Sequence, residues 1–350
     1  MHASAAVMPA PVTLAIAGDV MLGRLVNDSL AEHGPGHVWG DVSPLIWRAD
    51  AFLINLECAI TTRVVRWHDG HYKPFHFRAD PGAVDTLRLA RVDFASVANN
   101  HIGDFGPEGL LDTIRALDRV RIAHAGAGRD LEAARAPAVI NVQGLRIAVL
   151  AFADYPRAWA ATDAAPGLNF TDVSIEDDTF ASVAGAIAMA RALADVVIFS
   201  IHWGPNMRER PPEPFRQFAH RVIDTGATIF WGHSAHVVQA VEPVHDRGVI
   251  LYDTGDFIDD YAVDPTLRND LGALFFVRLR GSVVEHVGLV PTRIHHRQVN
   301  HASGDDHRLF TRRMETLCRE VGASVAVEQD HSLTVRRSTR IAPSASSLTA

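Results

Sequence analysis

The sequence predicts an α/β protein, because short apolar runs alternate with longer segments of helical periodicity over most of the chain. We expect strands over seven apolar runs, at residues 12–17, 51–55, 93–98, 146–151, 196–201, 227–231 and 249–252. Apolar residues recur at helical spacing in three segments, 107–119, 176–193 and 214–225. This order of elements is typical of a largely parallel sheet with helical crossovers.

The C-terminal third predicts a β-hairpin and a last helix. Two apolar stretches, 272–280 and 283–290, flank Gly281-Ser282, and helical spacing follows over 305–321. After about His331 the chain turns to Ser, Thr, Arg and Ala, which is typical of a frayed terminus. No linker rich in Pro, Gly or Ser separates two cores. We therefore expect an N-terminal extension at 1–11, one domain at 12–322 and a flexible tail at 323–350.

Composition excludes several classes of protein. Hydrophobic residues make up 47% and charged residues 21% of the 350 residues, so the chain is not mainly disordered. No apolar run approaches the roughly 18 residues of a membrane-spanning helix. A formal net charge of −8 argues against a nucleic-acid partner, because such domains usually carry a basic face. Two cysteines and an N-terminus without Lys or Arg before Arg24 predict a cytoplasmic protein with no signal segment.

Five strand-like runs end in a side chain that can bind a metal ion. These residues are Asp19, Glu57, Asn100 with His101, His202, and His233 with His236. Because ligands of open α/β sheets bind at the carboxyl ends of strands, we expect these side chains to meet at one rim. Taken singly, Asp19 equally fits a helix cap and His202 fits a hydrogen-bonded core residue. Together they favour a site for Mn²⁺, Zn²⁺ or Fe²⁺, with Ca²⁺ as a further option and no organic cofactor.

The motifs at these positions resemble the CapA family, which is named for poly-γ-glutamate capsule synthesis. They are Gly18-Asp19 through Gly23-Arg24, Asn55-Leu56-Glu57, Ala98-Asn99-Asn100-His101, His202-Trp203-Gly204, Gly232-His233-Ser234-Ala235-His236 and Gly255-Asp256-Phe257 through Asp259-Asp260-Tyr261. The resemblance implies a four-layer α/β/β/α sandwich of the metallophosphoesterase type. It also implies metal-ligand positions for Asp19, Glu57, Asn100, His202, His233 and His236. Glu57 would bridge two ions, and His101 would be the general acid or base.

The chain departs from the metallophosphoesterase pattern at one metal position. Those enzymes usually carry a histidine two residues after the first aspartate, and Met21 occupies that place here. A thioether is a poor ligand for hard divalent ions, so we expect one tightly held ion or a weak second one. The chain also shows no membrane anchor, which members of the capsule group usually have. Met21 makes ordinary two-metal phosphoester hydrolysis less expected. The lack of an anchor makes capsule assembly at a membrane less expected.

Further candidate residues lie outside the ligand set. His295 is our choice for a second acid or base opposite His101, although a solvated turn fits it as well. Arg24 and Arg208 are candidates for substrate binding, because a guanidinium group can clamp a carboxylate. Asp256 is a third candidate, and as part of an acidic run after a strand it also fits a helix cap. Arg208 equally fits a surface arginine, and Asp256 equally fits a partner that orients a ligand histidine. The histidines His68, His71 and His76 lie in a polar loop and are expected at the surface.

Three functions follow from these observations. The first is Cα epimerisation (L to D) of a residue in a ribosomally made peptide of the lasso type, because a metal-held carbonyl and two proton carriers can invert a stereocentre. The alternative is hydrolysis of a phosphoester or an amide. The third is a component of poly-γ-glutamate capsule biosynthesis that binds an acidic polymer. The partner is therefore a peptide or an acidic polymer, and the native metal and the oligomeric state stay open.

Overall fold

The computed structural model describes residues 10–68, 73–244 and 248–338. The strands of this part, in chain order, are β1 (Val12–Val20), β2 (Ala51–Leu56), β3 (Ala59–Ile60), β4 (Arg78–Ala79), β5 (Val92–Ser96), β6 (Ala123–Ala125), β7 (Ala127–Gly128), β8 (Ala138–Val142), β9 (Leu145–Ala153), β10 (Gly167–Leu168), β11 (Val196–His202), β12 (Ile229–His233), β13 (Val241–Val244), β14 (Gly248–Leu251), β15 (Asp256–Ile258), β16 (Leu271–Arg280), β17 (Val283–His295), β18 (Gln298–His301), β19 (Ala323–Val327) and β20 (Leu333–Arg337). The helices are α1 (Arg24–His33), α2 (Ser43–Ile46), α3 (Ala83–Leu89), α4 (Gly106–Val120), α5 (Leu131–Arg135), α6 (Asp177–Leu193), α7 (Glu213–Thr225) and α8 (Gly304–Glu320), and 3₁₀ turns lie at His37–Val42 and Arg157–Trp159. Each of the seven predicted strands overlaps an observed strand.

Two large sheets form the body of the protein. The ten-stranded sheet has the order β19-β20-β17-β16-β1-β2-β5-β6, with β15 beside β1 and β18 beside β17. The six-stranded sheet has the order β13-β14-β12-β11-β9-β8. Parallel pairing joins β1 to β2 and β2 to β5 in the first sheet, and β9 to β11 and β11 to β12 in the second. The carboxyl ends of these strands therefore lie together at one edge of each sheet.

The two sheets pack face to face. Phe94 of β5 and Trp231 of β12, one from each sheet, lie with ring centroids 6.4 Å apart. Leu53 is the register partner of Phe94, so its neighbour Phe52 points to the opposite face of the large sheet. On that outer face Phe52 packs against Trp39 of the 3₁₀ turn, at 5.9 Å between ring centroids. The large sheet is thus covered on one face by the segment that contains Trp39 and on the other face by the second sheet.

Helices α6 and α7 cover the outer face of the six-stranded sheet. Phe199 of β11 packs against Phe218 of α7 at 6.1 Å, and Phe180 of α6 packs against Phe218 at 5.7 Å. All three rings are fully buried. Burial of large aromatic side chains is a major source of stability for such an interface. The predicted four-layer α/β/β/α sandwich is therefore confirmed.

The C-terminal boundary differs from the prediction. Strand β20 pairs with β17, where Val335 is the register partner of Val287, and β19 pairs with β20. Leu333 and Val335 are buried, so this polar-looking segment contributes alternate apolar side chains to the large sheet. The predicted end of the domain at residue 322 was thus too early. Residues 1–9 and 339–350 lie outside the described residues.

Candidate metal centre

Strand ends bring the predicted ligands together from both sheets. Asp19 lies near the end of β1 and Glu57 directly follows β2, whereas His202 and His233 end the paired strands β11 and β12. Gly18 allows β1 to approach the chain before β15, because a Cβ there would lie 1.8 Å from the carbonyl oxygen of Gly255. The Asp19 amide donates a hydrogen bond to that oxygen at 2.9 Å.

The ligand atoms form two overlapping groups. Asp19, His202 and His233 make one group, and Asp19, Glu57, His236 and Asp256 make the other. Within each group the ligand atoms lie within 4.8 Å of one another. Asp19 belongs to both groups, as expected for a carboxylate between two cation positions.

The cluster fits a divalent cation, because several of its oxygen and nitrogen atoms have no other partner. Among the described residues no hydrogen-bond partner reaches Asp19 Oδ2, Glu57 Oε1, Asn100 Oδ1, His202 Nε2 or Asp256 Oδ2, although all five atoms are buried. Buried polar atoms without partners are costly and therefore rare in native proteins. Oxygen and imidazole donors without thiolate match the hard and borderline divalent metals.

The charges of the cluster are also incompatible with an apolar core. In the metal-free protein burial and the neighbouring Glu57 carboxylate raise the pKa of Asp19 well above its ordinary value. Burial raises the pKa of Glu57 to about 7. Burial by itself would lower the pKa of His236, but Asp256, Glu57 and Asp19 outweigh it and raise that pKa well above the usual value. A bound dication would neutralise these carboxylates, so the electrostatics support a cation site.

His101 sits beside the cluster and is held by an acidic partner. Its Nδ1 donates to Asp104 Oδ2 at 2.7 Å, and its ring stacks on Phe77 at 3.8 Å between centroids. Burial lowers the pKa of His101 to about 4 despite the opposing effect of Asp104. Lys73 binds the other oxygen of Asp104 at 2.6 Å and also donates to the carbonyl oxygen of Asn100. Nε2 is therefore the ring nitrogen of His101 that remains for chemistry.

Asparagines fix the loop that carries Asn100 and His101. The Asn99 side-chain oxygen accepts hydrogen bonds from the backbone amides of His101 and Ile102, at 3.1 and 3.0 Å. Its amide group donates to Asn55, and Asn55 donates to Asp19 at 2.7 Å. The ligand on β1 and the loop after β5 are thus joined by one chain of hydrogen bonds.

A cavity of about 580 Å³ opens onto this cluster. His101, His236 and Asn100 line it from the cluster side. Tyr261 also lines it and donates to Glu57 Oε2 at 2.9 Å. Further lining residues are Arg24, Lys73, Pro74, Phe75, Phe77, Tyr155, Asn206, Met207, Ala262 and Asn269. The wall is therefore mainly aromatic and amide in character, with two cationic side chains.

The model of the bacterial capsule synthesis protein family PGA_cap matches residues 13–261. The chain belongs to this family. A probable polyglutamine synthesis accessory protein of Mycobacterium tuberculosis is 30% identical, over 93% of this chain and 96% of its own length. The capsule biosynthesis protein CapA of Bacillus anthracis is 29% identical, over 81% of this chain and 67% of its own length. The resemblance to the CapA family is thus confirmed.

Solved structures give more distant similarities. Purple acid phosphatase PPD1 from yellow lupin has a TM-score of 0.38 and 9% identity, covering 85% of this chain and 56% of that one. The sulfate thiohydrolase SoxB of Thermus thermophilus has a TM-score of 0.36 and 13% identity, covering 66% of this chain and 38% of that one. Such remote similarity bears on neither the site nor the activity.

Two residues of this PGA_cap chain near the ligand cluster, Met21 and Asp256, have contacts that the sequence did not reveal. The Met21 sulfur accepts a hydrogen bond from the Gly23 amide at 3.0 Å and is buried, so it serves the loop rather than the cation position. Asp256 lies within the ligand group, because β15 pairs in parallel with β1 and makes Asp256 the register partner of Asp19. Its Oδ1 accepts a hydrogen bond from His236 Nδ1 at 2.8 Å. Asp256 therefore lies in a group of residues that could hold a metal ion and is not among the residues that line the cavity.

Two predicted residues are not brought to the site. His295 is exposed at the end of β17, where its ring contacts His296, and it is not among the residues lining the cavity. Strand β17 continues beyond the predicted end at residue 290, and β18 pairs with its last residues. Arg208 is also exposed, and its carbonyl accepts a hydrogen bond from Gln239. Only its neighbours Asn206 and Met207 line the cavity.

Arg24, in contrast, lines the cavity and pairs with Asp260 at 3.2 Å. Sequence reasoning missed Asp104 and Lys73. The three-residue spacing from His101 to Asp104 could have signalled the first. Lys73 carried a different signal, since it is the one lysine in the sequence. In the described part of the chain, no helix is both long and apolar enough to cross a membrane.

Proposed function

We propose that this chain is a metal-dependent enzyme that cleaves the amide backbone of a glutamate polymer. The observation that carries the proposal is the buried group of unpartnered ligand atoms that opens into a cavity with cationic side chains. Membership of the capsule synthesis family supports a polymer substrate. The names of the relatives, which refer to polyglutamine synthesis and capsule biosynthesis, support the chemical class of that polymer.

The residues that would hold the metal are those of the two ligand groups, and several of them keep a buried donor atom without a hydrogen-bond partner among the described residues. Asp19, His202 and His233 would serve one position, and Asn100 lies beside the cluster with an unpartnered oxygen. Glu57, His236 and Asp256, with the shared Asp19, would serve the other. When bound, a divalent ion supplies Lewis-acid polarisation of an oxygen in the cavity.

His101 is the residue placed to move protons. Asp104 holds its Nδ1, so Nε2 can receive a proton from the attacking water and deliver one to the leaving nitrogen. Cleavage consumes one water and breaks one C–N bond. The water oxygen completes a carboxyl group on the acyl side, and the proton passed on by His101 completes the new amine. Lys73 binds the other oxygen of Asp104, and the carboxyl group held in this way orients the imidazole through its Nδ1.

The cavity wall suits a chain with free carboxylates. Arg24 presents a guanidinium group that can bind a carboxylate through two hydrogen bonds. Phe75 and Phe77 both lie near it, each with its ring centroid 5.6 Å from the guanidinium carbon, and their two rings stack on each other. Stacking of this kind orients the planar group. Tyr155 and Tyr261 provide apolar surface for the methylene groups of a glutamate side chain.

Epimerisation is less well supported than amide cleavage. It requires proton carriers on both faces of the α-carbon, and His295, which the sequence suggested for the second face, does not line the cavity. Phosphoester hydrolysis uses the same metal ligands and is the remaining alternative. A purely binding role for an acidic polymer would need no proton carrier at all.

One incubation separates these functions. Purified protein with Mn²⁺ is mixed with γ-linked polyglutamate in D₂O, and chain length, new amine groups and deuterium at carbon are measured together. Amide cleavage predicts shorter chains with one new amine per cut and no deuterium at the α-carbon. Deuterium uptake without shortening would instead support epimerisation. Unchanged polymer alongside phosphate release from a phosphoester panel would overturn the proposal, and His101→Gln controls for a contaminating hydrolase.

A further inference from the structure

A second cavity adjoins the first and shares one arginine with it. It has a volume of about 580 Å³ and lies where α1, β4 and the chain after β3 meet. Arg24 lines both cavities, so the two adjoin at its side chain. The other charged or titratable residues on its wall are Arg66, His76, Arg78 and Asp28. We propose that this basic groove binds the part of an acidic polymer that extends beyond the first cavity.

The residues that line the groove include more cationic groups than carboxylates, unlike the molecule as a whole. The protein carries a formal net charge of −8, yet this wall presents three guanidinium groups against one carboxylate. A polyanion is repelled by most of the surface and attracted here, so the groove would select its path. Arg24 is neutralised in part by Asp260, and Arg78 by Asp80 at 2.9 Å. Exposed Arg66 is the groove cation that makes no ion pair within the described residues.

His76 supplies a second and independent indication of a ligand. Both of its ring nitrogens are buried, and neither has a hydrogen-bond partner among the described residues. A neutral imidazole always carries one N–H donor, which then needs an acceptor. A carboxylate in the groove would satisfy it. This burial differs from the surface position expected for His76, while His71 lies outside the described residues.

The junction between the cavities leads to the proposed proton carrier. Arg24 has a φ of 54°, in the left-handed region that non-glycine residues rarely adopt. Its guanidinium stacks on Phe77, and Phe77 in turn stacks on His101. A carboxylate bound by Arg24 would therefore lie next to the residue that handles protons. The neighbouring monomer units, each with its own carboxylate, would then reach Arg66 and His76.

This inference rests on the proposed function, since it takes the same polymer as ligand, and chain length separates the two. We would measure binding of fluorescein-labelled γ-glutamate chains of two and ten units to the Mn²⁺-loaded protein, by anisotropy at low salt. The dimer fills the first cavity alone, whereas the decamer also enters the groove. Each exposed ion pair can strengthen binding by up to about fivefold, so several of them should make the decamer bind at least about tenfold more tightly than the dimer.

Arg66→Ser should weaken decamer binding about two- to fivefold and leave dimer binding unchanged, and Arg66→Glu should weaken it further. Arg48→Ser is the matched control, because Arg48 is exposed and lines neither cavity. Equal binding of the two chain lengths, or equal effects of Arg66→Ser and Arg48→Ser, would overturn the groove while the proposed function stands. If neither chain binds the wild-type protein, the proposed function fails and the groove fails with it.

Discussion

Replacement of Asp256 with asparagine is expected to weaken metal binding strongly while leaving the fold intact. The substitution keeps the shape of the side chain and removes one charge from a group of four ligand residues. Asp256 Oδ2 has no hydrogen-bond partner among the described residues, whereas Oδ1 is bound to His236. Asparagine can keep the contact to His236 through its own oxygen. The loss should therefore be electrostatic and confined to the cation position.

The size of the effect follows from the short distances. Two unit charges about 4 Å apart interact by about 4 kcal/mol at an effective dielectric constant of 20. Part of this loss is offset, because Asp256 also stabilises the proton that the metal must displace from His236. We expect a net loss of about 2.7 kcal/mol, or roughly a hundredfold increase in the Kd for Mn²⁺.

Thermal unfolding gives a readout that does not depend on activity. At saturating Mn²⁺, a hundredfold weaker site lowers the metal-dependent stabilisation by about 2.7 kcal/mol, which corresponds to roughly 5 °C in Tm. The metal-free variant should melt at or above the metal-free wild type, because one of several buried carboxylates that repel one another has become neutral. The substitution should thus lower Tm in the presence of Mn²⁺, and leave it unchanged or raise it in the absence of Mn²⁺.

Asp93→Asn is the matched control for this experiment. Asp93 accepts a hydrogen bond from the Phe52 amide at 2.8 Å and begins the strand whose far end leads to the cluster. This variant should keep the wild-type Kd for Mn²⁺ and the full metal-dependent rise in Tm. An Asp256→Asn protein with a Kd within threefold of wild type would show that Asp256 is not a ligand, and the reasoning from its unpartnered oxygen would be wrong.

Four further predictions concern pH, catalysis and packing. Metal binding should weaken as pH falls through about 7, because the pKa of His236 is raised and that of Glu57 is about 7, so both groups must lose a proton before they bind the ion. Calorimetry in buffers of different ionisation enthalpy would count the protons released on binding. Binding without proton release would contradict this prediction. His101→Gln should lower the rate of chain cleavage about 10²- to 10⁴-fold with an unchanged metal content by elemental analysis. His295→Gln should leave cleavage and metal content within twofold of wild type, and a large loss of rate would return His295 to the mechanism. Trp231→Ala should lower the free energy of unfolding by about 3–5 kcal/mol in denaturant titrations, because Trp231 fills the space between the sheets.

Local patterns made much of the fold and site predictable. Each apolar run was long enough to identify a strand, and donors placed at the strand ends pointed to a shared rim without any knowledge of the pairing. The rule that ligands follow strand ends did not identify Asp256 as a ligand candidate, because β15 has only three residues and no periodicity of its own. Its role depends on parallel pairing with β1, more than 230 residues earlier in the chain.

The errors at the C-terminus have a similar origin. Leu333 and Val335 are separated by polar residues, and their alternation is too short to stand out from a disordered tail. Pairing with β17 is what buries them. His295 looked available because the strand before it seemed to end at residue 290, but β17 continues to His295 and a further strand folds back on it.

By itself, the sequence determined the α/β class, the family and a set of candidate donor atoms for a divalent cation, because these depend on periodicity and on which residue types follow each strand. Only the tertiary structure decided which donors face one another, that Met21 serves a loop, and that Lys73 and Asp104 hold His101. The physical reason is that strand register and the packing of two sheets are set by contacts between distant segments. No short stretch of sequence encodes such contacts alone.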